Sequence, residues 1–198
     1  MTALLVCGIV GAVGFVGTFL LDGATRPGYR PTYHPVSALA LGPRGWLQAG
    51  NFIGSGALIG ASGVGVGMAT GSLLLGTLVI LFGAALVASG VFPMDPMRGY
   101  PPGTPEGTPE ETSRAHELHD HAGAAVFSLL PAAAAVAAFV LDGRWAWASG
   151  LVAVGLVALF VAFGYAWEGD RPRAGLVQRV LIVLGWAWLA VLCWSLLP

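Results

Sequence analysis

No lysine occurs among the 198 residues, and only 10% of them are charged. A soluble domain of this size carries about 25% charged residues, so the shortage excludes an ordinary water-facing surface. The missing lysine also excludes a phosphate-cradling loop, because no Lys follows any of the thirty glycines. A net charge of −1 gives no basis for nucleic-acid binding, and long apolar runs argue against it further. Cysteine is scarce as well. Cys7 and Cys193 both fall inside apolar runs, where they read as small buried thiols. They do not report a redox compartment.

What the chain has instead is hydrocarbon. Hydrophobic residues make up 56% of it and gather in runs at about 3–21, 47–69, 73–92, 115–141, 146–167 and 175–197. Each approaches the ~20 residues a helix needs to cross a bilayer. The expected fold is therefore all-α, a polytopic membrane bundle of six transmembrane helices forming one domain over residues 1–198. The link Thr70-Gly71-Ser72 is short enough to make the second and third spans an antiparallel hairpin. The first run has no basic leader, a long apolar core and no A-x-A site before Asp22. It reads as a retained helix rather than a cleaved signal.

The arginines set the expected orientation. Arg26, Arg30, Arg44, Arg98, Arg114, Arg171 and Arg173 fall in the first, third and fifth loops, and Arg179 lies just inside the last helix on that side. Only Arg144 lies opposite. The positive-inside bias predicts a multi-pass protein of the cell membrane with loops 22–46, 93–114 and 168–174 in the cytoplasm and both termini outside. Trp46 and Trp167 then mark the inner boundary, and Trp145, Trp147 and Trp194 the outer one, as an aromatic belt. Trp186 and Trp188 lie deeper, as packing residues or as the lining of a cavity. Gly8, Gly11, Gly14 and Gly17 recur every third residue, and Gly56/Gly60 and Gly63/Gly67 every fourth. Small residues at such spacings predict close helix packing in lipid.

Loops two and four are tight, whereas loops one and three each run about twenty residues, long for a compact bundle. Loop three begins Phe92-Pro93-Met94-Asp95-Pro96, whose prolines restrict the backbone around Asp95. Its Gly99–Gly107 stretch reads as mobile. Thr108-Pro109-Glu110-Glu111 then carries a capping box and predicts a helix from about Pro109. Pro131 is placed to kink that helix. His116-Glu117-Leu118-His119-Asp120-His121 stands in its first turns, just before an uncharged stretch reaching Leu141. Ionisable groups at the edge of hydrocarbon cost several kcal/mol unless satisfied, which marks the cluster as a candidate site. His116, His119 and Asp120 share one helical face, and Glu117 and His121 pair on an adjoining one.

Three chemistries suit that face. A His/His/carboxylate set of His116, His119 and Asp120 suits zinc or iron, with His34 or Asp95 as further ligands, although the His-Glu-x-x-His motif is absent. Metal-free acid–base work would use Asp95, His119 and Asp120, the acids orienting or protonating and the imidazole relaying. Alternatively, His119 and Asp120 pin helix four to the loops. Haem between helices lacks an evident ligand pair, since all four histidines lie near one boundary.

His34-Pro35-Val36-Ser37, Gly45, Asn51-Phe52, Gly90-x-Phe92-Pro93-x-Asp95, Leu118-His119-Asp120 and Gly175-x-x-Gln178-Arg179 occur in that order. In this the chain resembles the bacterial and archaeal six-helix membrane family catalogued as domain of unknown function 998, over nearly its whole length. His116 and His121 lie outside the matched pattern. The resemblance implies a six-helix membrane protein and no particular activity. It directs attention to His34, Ser37, Asn51, Asp95, His119, Asp120, Gln178 and Arg179, grouped toward the cytoplasmic ends of the spans. Arg179 either snorkels to the interface or turns inward to a carboxylate such as Asp95 or Asp120. A polar pocket there suits a lipid-like or amphiphilic ligand. The partners expected are membrane lipids and a hydrophobic or amphiphilic small molecule. Three functions fit: a membrane-embedded enzyme on a lipid or isoprenoid substrate, a small-molecule or proton-linked transporter, or a noncatalytic ligand-binding or scaffold protein. No charged residue lies at mid-span, which counts against transport.

Overall fold

The computed structural model describes every residue, Met1–Pro198. Six helices follow one another: α1 (Thr2–Ala24), α2 (Gly45–Thr70), α3 (Leu73–Val91), α4 (Arg114–Val140), α5 (Gly143–Glu168) and α6 (Ala174–Ser195). All six are long and apolar enough to cross a membrane, so this is a multi-pass membrane protein. A short 3-10 turn at Val36–Ala40 is the only other helical element. Consecutive helices pack side by side, and α1 closes the ring against α6. Phe15, Phe82 and Trp186 fill its centre. Phe15 stacks on the indole at 5.1 Å and Phe82 meets it edge-on at 5.0 Å.

Glycine decides how closely two of these helices approach. A Cβ built on Gly63 would lie 2.7 Å from the Gly76 carbonyl, and one on Gly83 would lie 2.5 Å from the Gly56 carbonyl. The α2 and α3 backbones therefore touch, which only glycine permits. The turn between them ends α2 on left-handed Gly71 and starts α3 on Ser72, whose hydroxyl accepts the Leu75 N–H at 3.2 Å. In α1 the glycine row splits. Gly8 and Gly11 pack on α2, while Gly14 and Gly17 have open space where a side chain would go.

Loops one and three fold together into a cap over one end of the ring. Arg26, buried, donates to both oxygens of Asp22 at 3.3 and 2.6 Å and to the carbonyls of Leu39 and Leu41 at 2.8 and 3.0 Å. Arg44 pairs with the same carboxylate. Asp22 and Arg26 thus tie the end of α1 to the chain entering α2. The rings of Tyr29, His34 and Tyr100 pack at 5.3–5.5 Å from one another. Arg30 crosses to the Arg98 carbonyl of loop three at 3.2 Å.

Two details of loop three differ from expectation. Gly99–Gly107 is held by its own backbone, with Arg98 N–H on Gly107 O at 2.8 Å and Gly99 N–H on Pro105 O at 3.0 Å. Helix α4 begins at Arg114 rather than Pro109, capped by Ser113 instead of Thr108. The reason is tertiary. Asp95 accepts the Ser113 N–H at 2.6 Å and its hydroxyl at 2.7 Å, while the Ser113 oxygen accepts the His116 N–H at 3.2 Å. A carboxylate arriving from 18 residues away outcompetes the local capping box. Helix α4 then continues through Pro131.

Candidate functional site

Several candidate residues are consumed by the cap. His34 accepts the Arg30 N–H on Nδ1 at 2.9 Å, which places its proton on Nε2, donated to the Arg98 carbonyl at 3.0 Å. Both ring nitrogens are thereby used. Burial pulls the His34 pKa below its ordinary value, and the bond to the Arg98 carbonyl opposes this only in part. Arg179 does turn inward, but to oxygens of another kind than expected. It donates to the carbonyls of His34 and Gly175 at 3.0 and 2.9 Å and to the Tyr29 hydroxyl. No carboxylate meets it, and three oxygens disperse the guanidinium charge instead. Burial pushes the Tyr29 phenol up to about 12, so it remains an intact hydroxyl beside that arginine.

Asp95 and Asn51 are also engaged elsewhere. Burial alone would raise the Asp95 carboxyl, but the two bonds from Ser113 outweigh it and hold the group below the usual range. Asn51 donates to the Phe15 carbonyl at 3.1 Å and accepts the Ser55 hydroxyl at 3.2 Å, bracing α2 against α1. Neither residue lines the cleft described next.

That cleft, of about 280 Å³, runs between α4 and α5 at the capped end, with α6 and the 3-10 turn behind it. Ser37, His116, His119, Asp120 and Gln178 line its polar part, so five of the sequence candidates do come together. Phe127, Phe160, Phe163 and Trp167 line the apolar part and pack in sequence at 5.6–6.1 Å. The cleft exists because α5 is the outlying helix of the ring, burying only Ser149, Ala153 and Leu156. None of these lies near its capped end.

Three groups in the cleft keep an atom free of protein partners. His119 is 6% exposed, and its Nδ1–H points at the carbonyls of Phe92 and Ser89, 2.7 and 3.1 Å away. That contact fixes the tautomer and leaves Nε2 as an acceptor. Gln178, 4% exposed, spends its Oε1 on the Val36 N–H at 2.7 Å and retains its amide N–H donors. The Ser37 hydroxyl is the third. An acceptor, a donor and a hydroxyl thus come from α4, α6 and the 3-10 turn. All three, with Trp186, also line a smaller cavity of about 30 Å³ beneath, next to the unpaired indole N–H. That volume suits one water molecule.

The remaining helix-four candidates sit at the rim. His116 accepts the Asp95 N–H on Nδ1 at 3.0 Å and faces Asp120 with Nε2 at 3.3 Å. His119 points its Nδ1 into the α3 end instead. The metal set His116, His119 and Asp120 therefore lines one cleft without converging, and no three His, Cys, Asp or Glu side chains stand close enough to hold an ion. His121 bonds the Glu117 carbonyl on the exposed side of α4. Arg98, Glu168 and the aromatic wall were not among the site candidates, Arg98 counting only toward orientation and Trp167 only toward the aromatic belt. Arg98 stacks on Trp167 at 3.6 Å, donates to its carbonyl at 2.7 Å and pairs with Asp170 at 3.3 Å. Phe127, Phe160 and Phe163 carry no signal that separates them from lipid-facing aromatics. Asp22 and Arg26 do carry one, an i,i+4 acid–base pair at the mouth of a span.

No curated protein and no solved structure matches this chain. The family model described as Protein of unknown function (DUF998) matches residues 9–195, which takes in both capping loops and all six helices except the first turns of α1, and the chain belongs to that family.

Proposed function

We propose that the α4–α5 cleft binds a lipid-like amphiphile, with its polar end on Ser37, His119 and Gln178 and its apolar part along the aromatic wall. His119 serves there as the acid–base group. One observation carries this reading: the three polar groups, from three separate elements, have no remaining protein partner where they face the cleft. These atoms open onto the cleft, and a few polar groups brought together beside an apolar wall are the usual makeup of a ligand pocket. The carbonyls of Ser89 and Phe92 hold the imidazole by Nδ1–H. The Nε2 lone pair can then take a proton from a hydroxyl on the bound molecule and return it at a later step. A laterally accessible cleft also suits a substrate arriving within the bilayer.

On this reading the protein sits in a bacterial inner membrane, capped end in the cytoplasm and both termini outside. The support is that all arginines but Arg144 lie at the capped end. The test is to identify amphiphiles that co-purify with the full chain in nanodiscs, then to follow their turnover. Gly123→Leu, which puts a side chain into the cleft where a Cβ meets nothing within 4 Å, should lose the enriched species while melting as the wild type does. His119→Gln should retain the species but slow any conversion by about a hundredfold or more, the usual contribution of a general base. If no species is enriched over the bulk lipid, the reading fails.

A further inference from the structure

The charges around the cleft select the head group. Asp120 and Glu168 line it, the histidines His116 and His119 are its only other ionisable lining groups, and neither lysine nor arginine contributes to it. His116 does not offset the acids by its geometry. Its Nδ1 accepts a backbone N–H, so the imidazole that faces Asp120 is the neutral Nε2–H form. Arg98, which stacks on the cleft-lining Trp167, is 2% exposed and already pairs with Asp170. The floor adds two acceptors, His119 Nε2 and the Ser37 oxygen.

We infer that the cleft takes an amphiphile whose polar end is a protonated amine, in preference to one ending in phosphate or carboxylate. Two buried side chains with free polar atoms, His119 and Gln178, make this a built site rather than an acidic patch. An ammonium group has three N–H donors to satisfy. The Asp120 carboxylate and the Ser37 oxygen are acceptors suited to them, and His119 Nε2 and the Gln178 amide remain for a neighbouring hydroxyl. The rings of Phe160 and Phe163 attract a cation as well as a hydrocarbon chain, whereas Trp167 already carries Arg98. An anionic head would instead enter beside two carboxylates with no cation lining its path.

This inference rests on the cleft being the ligand site, so the test separates the two. The full-length protein is placed in nanodiscs of zwitterionic phosphatidylcholine, and binding of dodecylamine, dodecanol and dodecanoate is measured by tryptophan fluorescence. These probes share one chain and differ in charge. Gly123→Leu serves as the blocked control. Gly123 lines the cleft, and a Cβ there meets nothing within 4 Å, so the added side chain starts in open space and extends into the cleft. Dodecylamine should bind about tenfold or more tighter than dodecanoate, as expected for opposite charges facing two carboxylates at short range. Gly123→Leu should abolish saturable binding of every probe. Asp120→Asn/Glu168→Gln should bring amine and carboxylate to within about twofold. Dodecanoate binding as tightly as dodecylamine in the wild type, with Gly123→Leu still blocking both, overturns the head-group inference and leaves the cleft standing. Binding that Gly123→Leu does not affect, or no saturable binding by any probe, overturns both.

Discussion

Replacing Asp22 by asparagine removes the one negative charge that two arginines share under the cap. The Asp22 side chain is fully buried and that of Arg26 is 4% exposed, whereas Arg44 is 43% exposed. Arg44 can therefore turn to solvent, and Arg26 is the partner left behind. Leaving one member of a buried pair alone costs about 3–5 kcal/mol. Arg26 keeps the Leu39 and Leu41 carbonyls, and asparagine still offers an acceptor of the same shape, so the low end applies, about 3 kcal/mol. For a domain of this length that corresponds to a fall in Tm on the order of 6–12 °C. Thermal unfolding in dodecyl maltoside, followed by tryptophan fluorescence, reads it directly. Arg26→Met in the Asp22→Asn background should cost less than it does alone, because the stranded charge has gone. Arg44→Ala should lose under about 1 kcal/mol, as an exposed pair does. A loss below about 0.5 kcal/mol for Asp22→Asn, the range of an ordinary surface change, would refute the argument that this pair anchors the cap.

Asp95→Asn should weaken the start of α4 by about 1–2 kcal/mol, the worth of a charge-assisted cap, and speed amide exchange over residues 113–118; unchanged exchange would contradict the cap. Because the folded Asp95 carboxyl titrates below its unfolded value of 3.8, its contribution is present above about pH 4 and disappears as pH falls through the folded value. His34 is likewise depressed from 6.5, so the stability it supports is present above that value and is lost as pH falls. Melting should drop between about pH 7 and pH 5, and His34→Gln should flatten that part of the profile. A slope as steep in the variant would assign it to another group. Gly83→Ala drives a Cβ to 2.5 Å from the Gly56 carbonyl and should cost about 1–3 kcal/mol or more. Gly60→Ala, whose nearest neighbour is 3.8 Å away, should stay within about 0.5 kcal/mol. Equal losses would mean that α2 and α3 can move apart.

The spans were legible because crossing a bilayer requires length and apolarity, and both are local properties of a sequence. The same holds for the α2–α3 hairpin and its glycine contacts. The start of α4 was not legible. Thr108-Pro109-Glu110-Glu111 satisfies every local rule for a helix start, and Asp95 overrides it from the far end of the loop. Of the candidate site residues, Ser37, His116, His119, Asp120 and Gln178 do line one cleft, while His34, Asn51, Asp95 and Arg179 are spent on structure. Sequence order cannot separate these groups, because the difference lies in which hydrogen-bonding atoms are already occupied. Arg179 illustrates this. A buried guanidinium was expected to find a carboxylate, and here a hydroxyl and two carbonyls satisfy it.

This division of the polar residues determines how loss-of-function variants should be read. A change at Arg26, Arg179 or His34 strikes groups that hold loop one in place, and loop one carries Ser37 to the cleft. Such a variant loses fold and function together and says nothing about chemistry. Gln178 is intermediate, since its carbonyl fixes the Val36 N–H at 2.7 Å while its amide faces the cleft. Truncating it removes both, whereas Gln178→Glu retains the acceptor and removes only the donor. His119 divides the same way between Nδ1, which faces Ser89 and Phe92, and Nε2, which is left for the cleft. The informative substitutions keep the atom that faces the protein and alter the one that faces the cleft. A phenotype obtained with those, at unchanged melting, belongs to the ligand site.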